Sequence, residues 1–259
     1  MSADSDFLDI YRKQIRWRLI DEPIAEDPQQ ALVRDTQLLK EVACGKRGAT
    51  ARLWEVPQCL VVTRKETRFP LFEDACNTLA AQQWPVIVRD SGGTSVPLHP
   101  GILNFSIIFP KQDNDDFDLD DIYMALCEPI KRALTQLGLC AEYGETPGSY
   151  CDGRYNLNID GLKITGTAQR IMVSPPNKKA VKQGILAQAM LMVEADAVAG
   201  THWVNRFYSL AGNERQFDPM VATSLNNLLP NQQTSATKGL LTKQVRALIA
   251  EAFTQLICH

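Results

Sequence analysis

The chain reads as an α+β protein, with a mixed, mainly antiparallel sheet and flanking helices. Three observations predict this. Strand-like and helix-like runs are interleaved, but without the strict strand–helix–strand alternation of a parallel sheet. Asp160-Gly161 lies between two short runs of alternating polarity and is a strong hairpin signal, because a type I′ turn wants positive φ at both positions. The 259 residues, 45% hydrophobic and 22% charged, have an ordinary globular composition and can bury a core without staples. Residues 1–259 are read as one domain, with a short helical C-terminal segment from about residue 211.

Each element has its own signal. In "EDPQQALVRDTQLLKEVACGK", Asp27 suits an N-cap, Pro28 the first helical position and Gly45 the stop. "ARLWEVPQCLVVTRKE" is a strand interrupted by Pro57, and "LFEDACNTLAAQQ" has helical periodicity. "PVIVRD" is expected as a short buried strand from its β-branched run, and "ILNFSIIFP" as another. "DLDDIYMALCEPIKRALTQLG" reads as a longer helix whose acidic first turn suits the helix dipole, with Gly138 near its end. Residues 155–174 form two strands. "GILAQAMLMVEAD" is open between a strand and a buried helix. "VAGTHWVNRFYSLAG" and "TKGLLTKQVRALIAEAFTQLI" are helices.

Several functions fit poorly. A net charge of −3 gives no basic footprint for nucleic acid or an anionic membrane. No apolar run approaches the roughly 20 residues of a membrane helix, and the charged N-terminus has no apolar signal core, so a cytoplasmic protein is expected. The seven cysteines include no C-x-x-C pair, which points to neither a disulfide framework nor a metal site. His99 reads as a surface loop residue, His202 as packed beside Trp203, and His259 as a mobile terminus.

Three features stand out. Cys151 occupies a turn-like polar stretch, "PGSYCDGRYNL", and not the apolar run where a structural cysteine belongs. If Asp160-Gly161 closes the hairpin directly, Ile159 faces Leu162, Asn158 faces Lys163 and Leu157 faces Ile164. Lys163 then shares a face with Asn156, Asn158 and Thr165. The plain reading of that face is a solvated one. The sharper reading is a lysine that binds a developing negative oxygen, with Gly166 allowing a ligand close to the backbone. Finally, Ser91-Gly92-Gly93 follows the strand ending at Arg89 and makes a tight turn with free N–H groups, suited to an anion or carbonyl oxygen. It matches neither the dinucleotide nor the P-loop pattern.

Together these pieces resemble the biotin/lipoate protein ligase superfamily. "RLWEVPQCLVVTRKE" is similar to its strand pair, "VRDSGGTSVPLHPGILNFSI" to its R-x-S-G-G-x-x-V…G-x-L-N loop, and "DGLKITGTAQR" to its G-x-K-[IF]-x-G-x-[AS]-Q-R segment. One departure is Leu98, where many relatives have a histidine; His99 lies one residue further. The resemblance implies the class II ligase-like catalytic fold. The cysteine-containing stretch resembles the octanoyl/lipoyl amidotransferase branch, lipoate-protein ligase A-like enzymes that carry an acyl chain between carrier proteins. That implies Cys151 as nucleophile through a thioester, with Lys163 as the cation that activates it. Arg89, Ser91, Gly92, Gly93, Asn104 and Gly166 would bind the octanoyl or lipoyl substrate. No cofactor would be required. The implied partners are lipoyl-domain proteins, the glycine-cleavage H protein or acyl carrier protein. The alternative within the superfamily is an ATP-dependent lipoate or biotin ligase with Lys163 on an acyl-adenylate. A non-enzymatic acyl-binding protein is the third reading.

Two geometric demands follow. The loop 148–154 must fold back over the polar face of the hairpin to bring Cys151 to Lys163. Lys163 should line the largest apolar pocket, beside Gly92 and Gly93.

Overall fold

The computed structural model describes residues 7–174, 181–229 and 239–258. A seven-stranded sheet runs in the order β1 (Trp17–Asp21), β2 (Ala49–Trp54), β6 (Ile102–Lys111), β10 (Gln183–Met192), β9 (Leu162–Val173), β8 (Leu157–Ile159) and β7 (Glu142–Tyr143). Only β1 and β2 are parallel; every other pairing in this sheet is antiparallel. A smaller sheet places β3 (Cys59–Thr63) between β4 (Val86–Arg89) and β5 (Val96–Leu98). The α+β architecture with a mainly antiparallel sheet is therefore the observed one.

The helices are α1 (Asp9–Arg12), α2 (Pro28–Ala43), α3 (Phe72–Ala81), α4 (Leu119–Gln136), α5 (Ala197–Leu210), α6 (Leu225–Leu228) and α7 (Leu240–Ile257). Asp27 caps α2 through the Gln29 N–H, with Pro28 at the first position. Asp118 and Asp121 form a reciprocal capping box on α4. The expected last helix begins later than read; Thr237 and Lys238, like His259, lie outside the described residues.

Period-two alternation divides the large sheet. Leu103, Phe105, Ile107 and Phe109 of β6, with Ile185, Ala187 and Leu191 of β10, pack against Ile122, Ala125 and Ile130 of α4 and Val245, Ile249 and Phe253 of α7. The opposite face of β6 and β10 carries Ile108 and Leu186 against Leu38, Leu39 and Val42 of α2. Gly184 lets α2 approach: a Cβ there would come within 3.0 Å of the Ala43 side chain.

Some expectations are corrected. Pro57 does not interrupt one strand; it separates β2 from β3, which belong to different sheets. "PVIVRD" is not fully buried, because β4 is a sheet edge with Val88 exposed. "GILAQAMLM" is a strand, buried on both faces because helices and the cavity cover them. The hairpin closes as expected at Asp160-Gly161, both with positive φ, and pairs Ile159 with Leu162 and Asn158 with Lys163. Beyond that a bulge shifts the ladder, so Leu157 faces Thr165 and not Ile164.

Candidate functional site

The loop 148–154 folds back over the hairpin. Lys163 Nζ donates to the carbonyls of Tyr150 and Cys151, the latter at 2.9 Å, and lies 4.9 Å from the centre of the Tyr150 ring. Asn156 Nδ2 donates to the same Cys151 carbonyl at 2.9 Å, and Cys151 N–H donates to Thr94 Oγ1 at 2.7 Å. These bonds hold Cys151 at φ 47°, in the left-handed region that a residue with a Cβ rarely adopts. Its side chain is only 5% exposed. Strain of this kind persists where surrounding contacts over-determine it, and it clusters at functional positions.

The sulfur is enclosed by a second cation. Arg89 Nη2 lies 3.6 Å from Cys151 Sγ and also donates to the carbonyls of Gly92 and Thr94 at 3.0 and 2.9 Å. Gly93 makes this contact possible. Its φ is 101°, and a Cβ at that position would fall 2.5 Å from Cys151 Sγ and 2.9 Å from Arg89 Nη2. Burial alone would push the Cys151 thiol up. The Arg89 charge, then that of Lys163, outweigh it together with the Thr94 contact and hold the thiol below its ordinary value. Lys163 itself is brought down to about 8 by burial, against the opposing pull of Cys151 and Asp152.

Cys151 opens onto a cavity of about 470 Å³, within the range of small-ligand sites. Trp54, Val61, Val96, Leu98, Leu186 and Met190 give it apolar walls, and Arg89, Ser91, Asn104 and Gly166 are also among its lining residues. Its polar floor is a buried network. Asp35 pairs with Arg52 at 2.7 Å and accepts from Ser106 Oγ and Gln188 Nε2, each at 2.7 Å. Ser106 accepts in turn from Trp54 Nε1.

Several expected placements need correction. Lys163 is neither on a solvated face nor among the residues lining the cavity; it is fully buried behind Cys151, beneath the returning loop. Gly92 and Gly93 also stand outside the lining, exposed beside the Arg89–Cys151 contact. A wider groove of about 940 Å³, between Lys13, Arg18, Arg47 and Gln112, lies elsewhere and contains none of these groups. Lys163 is not the only cation near the thiol, since Arg89 reaches it from 62 residues away. His202 is exposed on α5 and not packed. His99 is half-buried, its ring edge-on to Trp84, and takes no part in the cavity lining.

Sequence reasoning missed Thr94, Asp35, Arg52 and Gln188. Asp35 had a usable signal: a carboxylate among Ala31, Leu38, Leu39 and Val42 on the apolar stripe of α2. Thr94 had none. Among the described residues, no group of three or more His, Cys, Asp or Glu side chains could hold a metal.

Residues 27–254 match the family described as the lipoyl protein ligase A/B catalytic domain. The chain is 34% identical over 233 residues to an octanoyl-GcvH:protein N-octanoyltransferase of Kyrpidia tusciae, covering 90% of this chain and 80% of that one. It is 28% identical over 229 residues to a lipoyl-GcvH:protein N-lipoyltransferase of Listeria monocytogenes, covering 85% and 79%. The fold matches a crystal structure of lipoate-protein ligase A bound with ATP at a TM-score of 0.60, over 93% of this chain and 85% of that one, at 16% identity. The chain belongs to the lipoyl protein ligase A/B catalytic domain family.

Proposed function

We propose that the protein is an acyltransferase that moves octanoyl or lipoyl groups onto lysines of lipoyl-domain carrier proteins through a thioester on Cys151. The observation that carries this reading is the position of Cys151: a strained, doubly cation-flanked thiol at the head of a largely apolar cavity. The names of the relatives support the glycine-cleavage H protein as one carrier, and acyl carrier protein is proposed as a second donor.

The chemistry balances without ATP. The Cys151 thiolate attacks the carbonyl carbon of the acyl-lysine amide, or of a carrier thioester, and the carbonyl electron pair moves onto oxygen. Collapse breaks the bond to the departing amine or thiol, which takes up the proton lost when Cys151 ionised. The acceptor lysine, as a neutral amine, then attacks the thioester; Cys151 leaves as thiolate and the new amide loses a proton to water. Thiolate suits both halves, as a strong nucleophile and a good leaving group.

Mass spectrometry tests the reading. Wild-type protein incubated with octanoylated H protein, without ATP, should gain a hydroxylamine-sensitive octanoyl mass on the peptide containing Cys151. No such adduct, or octanoyl-adenylate made from free octanoate and ATP, would replace this reading with that of an ATP-dependent ligase.

A further inference from the structure

We infer that Glu66 is a positioning residue for acyl transfer: its buried carboxylate anchors the turn between β4 and β5, and through Thr94 of that turn it holds Cys151 in the backbone conformation from which the sulfur meets the acyl group. The inference rests on the thioester reading above and leaves the contacts of Lys163 with the loop as they are.

Glu66 lies in the short 3₁₀ turn Glu66–Arg68 after β3 and is only 3% exposed. Among the described residues no cation pairs with it. Four donors converge on it instead. Thr63 N–H at 2.6 Å and Thr63 Oγ1 at 3.1 Å reach one oxygen; Ser95 N–H at 2.8 Å and Tyr208 Oη of α5 at 2.5 Å reach the other. A carboxylate removed from water is costly unless its lone pairs are filled in this way. Donors from β3, the turn and α5 that share one buried group also lock those three segments together.

The Ser95 bond is the one that leads to the chemistry. The β5 ladder begins only at Val96, opposite Val61, so at the end of the turn Glu66 takes the place of a strand partner. The preceding residue, Thr94, accepts the Cys151 N–H on Oγ1 at 2.7 Å and Arg89 Nη2 on its carbonyl at 2.9 Å. Cys151 is therefore gripped from two sides. Lys163 and Asn156 hold its carbonyl, and the turn anchored by Glu66 holds its N–H. A φ of 47° persists only while both grips last. If the turn slackens, Cys151 returns to an ordinary φ and carries the sulfur away from Arg89 and from the head of the cavity.

The test is a double-mutant cycle between Glu66 and Thr94. It is read by iodoacetamide labelling of the Cys151 peptide against pH, which needs no acyl donor, and by transfer from octanoylated H protein, each per folded molecule. Glu66→Met keeps the length of the side chain and removes both oxygens. It should lower kcat by about 10–10²-fold with KM unchanged, because a displaced nucleophile slows the chemistry and not the binding. It should also move the labelling midpoint to higher pH, since the sulfur leaves the Arg89 and Lys163 charges for a loop whose own charged neighbour is Asp152. Glu66→Gln should regain most of both, because its amide oxygen can still accept from Ser95 and Tyr208 while its nitrogen donates to Thr63 Oγ1. Thr94→Val should copy Glu66→Met, and the double variant should lose clearly less than the product of the two losses. Losses that multiply, a Glu66→Gln no better than Glu66→Met, or a Glu66→Met with the wild-type kcat and midpoint each overturn the inference. If Glu66→Met does not fold, Glu66→Asp, which draws the carboxylate back from Ser95, takes its place in the cycle with the same outcomes. A wild type that forms no thioester, with a raised midpoint in the Glu66 variant, removes the proposed function and leaves the positioning role; a wild-type thioester with an unmoved midpoint does the reverse.

Discussion

Strands β6 and β10 present two unlike faces. Toward α4 and α7 they offer Leu103, Phe105, Ile107, Phe109, Ile185 and Leu191, a dry apolar surface. Toward the cavity they offer Asn104, Ser106, Gln188 and Met190, over the buried Arg52–Asp35 pair. The first face stabilises simply by removing apolar area from water. The second must satisfy each buried polar atom with a specific partner, because desolvation without one is costly. One set of strands thus carries a dry core on one side and, on the other, a buried polar network that borders the cavity beside a smaller apolar cluster.

The largest effect should follow a change at the chemical side that leaves the fold alone. Cys151→Ser should reduce transfer to background, since an alkoxide is far harder to form than a thiolate. The unfolding midpoint should stay close to that of the wild type in thermal melts. A variant that transfers at the wild-type rate would make Cys151 a structural residue.

Next come changes that act on stability from each face. Asp35→Ala leaves Arg52 buried with only the more exposed Glu22 as a carboxylate partner, beside the Ala31 carbonyl, and should cost about 3–5 kcal/mol in denaturant unfolding. The double variant Asp35→Leu/Arg52→Met should regain most of that, because it removes both charges. Failure to regain it would mean that the polar floor itself stabilises the fold. Phe253→Ala, which empties the aromatic cluster of Tyr11, Trp17 and Phe105, should also cost about 3–5 kcal/mol. Its transfer rate per folded molecule should be unchanged. A matching loss in rate would show that the two faces are coupled.

A subtler separation should appear with pH. The Cys151 thiolate is present above its lowered pKa and lost as pH falls, which gives transfer an acid limb. Lys163 loses its charge as pH rises through about 8, which weakens the thiolate's surroundings and gives a decline above that pH. Stability should move the other way. Between about 8 and the ordinary 10.5 of a lysine, the unfolded chain binds the Lys163 proton and the folded one does not, so folding gains with rising pH. Parallel unfolding and transfer profiles should therefore diverge above pH 8. The smallest effect is expected at Cys59 and Cys127. Burial pushes both up to about 12, so each should be replaceable by Ala with little change in transfer.

Much of the fold was legible because local chemistry declared it. Asp27-Pro28, the acidic turn of α4 and Asp160-Gly161 each name a boundary by mechanism. The strands β1, β5 and β7 were not legible, since such short strands exist through the partners they pair with. β10 was ambiguous because it is buried on both faces and loses its alternation. The site was half legible. The motifs pointed to Cys151, Lys163 and the glycine turn, but alternation sorted Lys163 onto a polar face and could not reveal the loop that covers it. The reach of Arg89 to a sulfur 62 residues away depends on the packing of the small sheet against the large one, and no local pattern encodes it.

The glycine turn also has a consequence for the gene. Every missense change at codon 93 adds a Cβ, and so puts a carbon 2.5 Å from the thiol sulfur. The adjacent codon differs, because a Cβ on Gly92 meets nothing within 4 Å and its φ is not in the left-handed range. Two neighbouring codons for the same amino acid thus carry unequal mutational loads: alanine at 92 should pass a genetic complementation screen, while at 93 only synonymous changes should survive it.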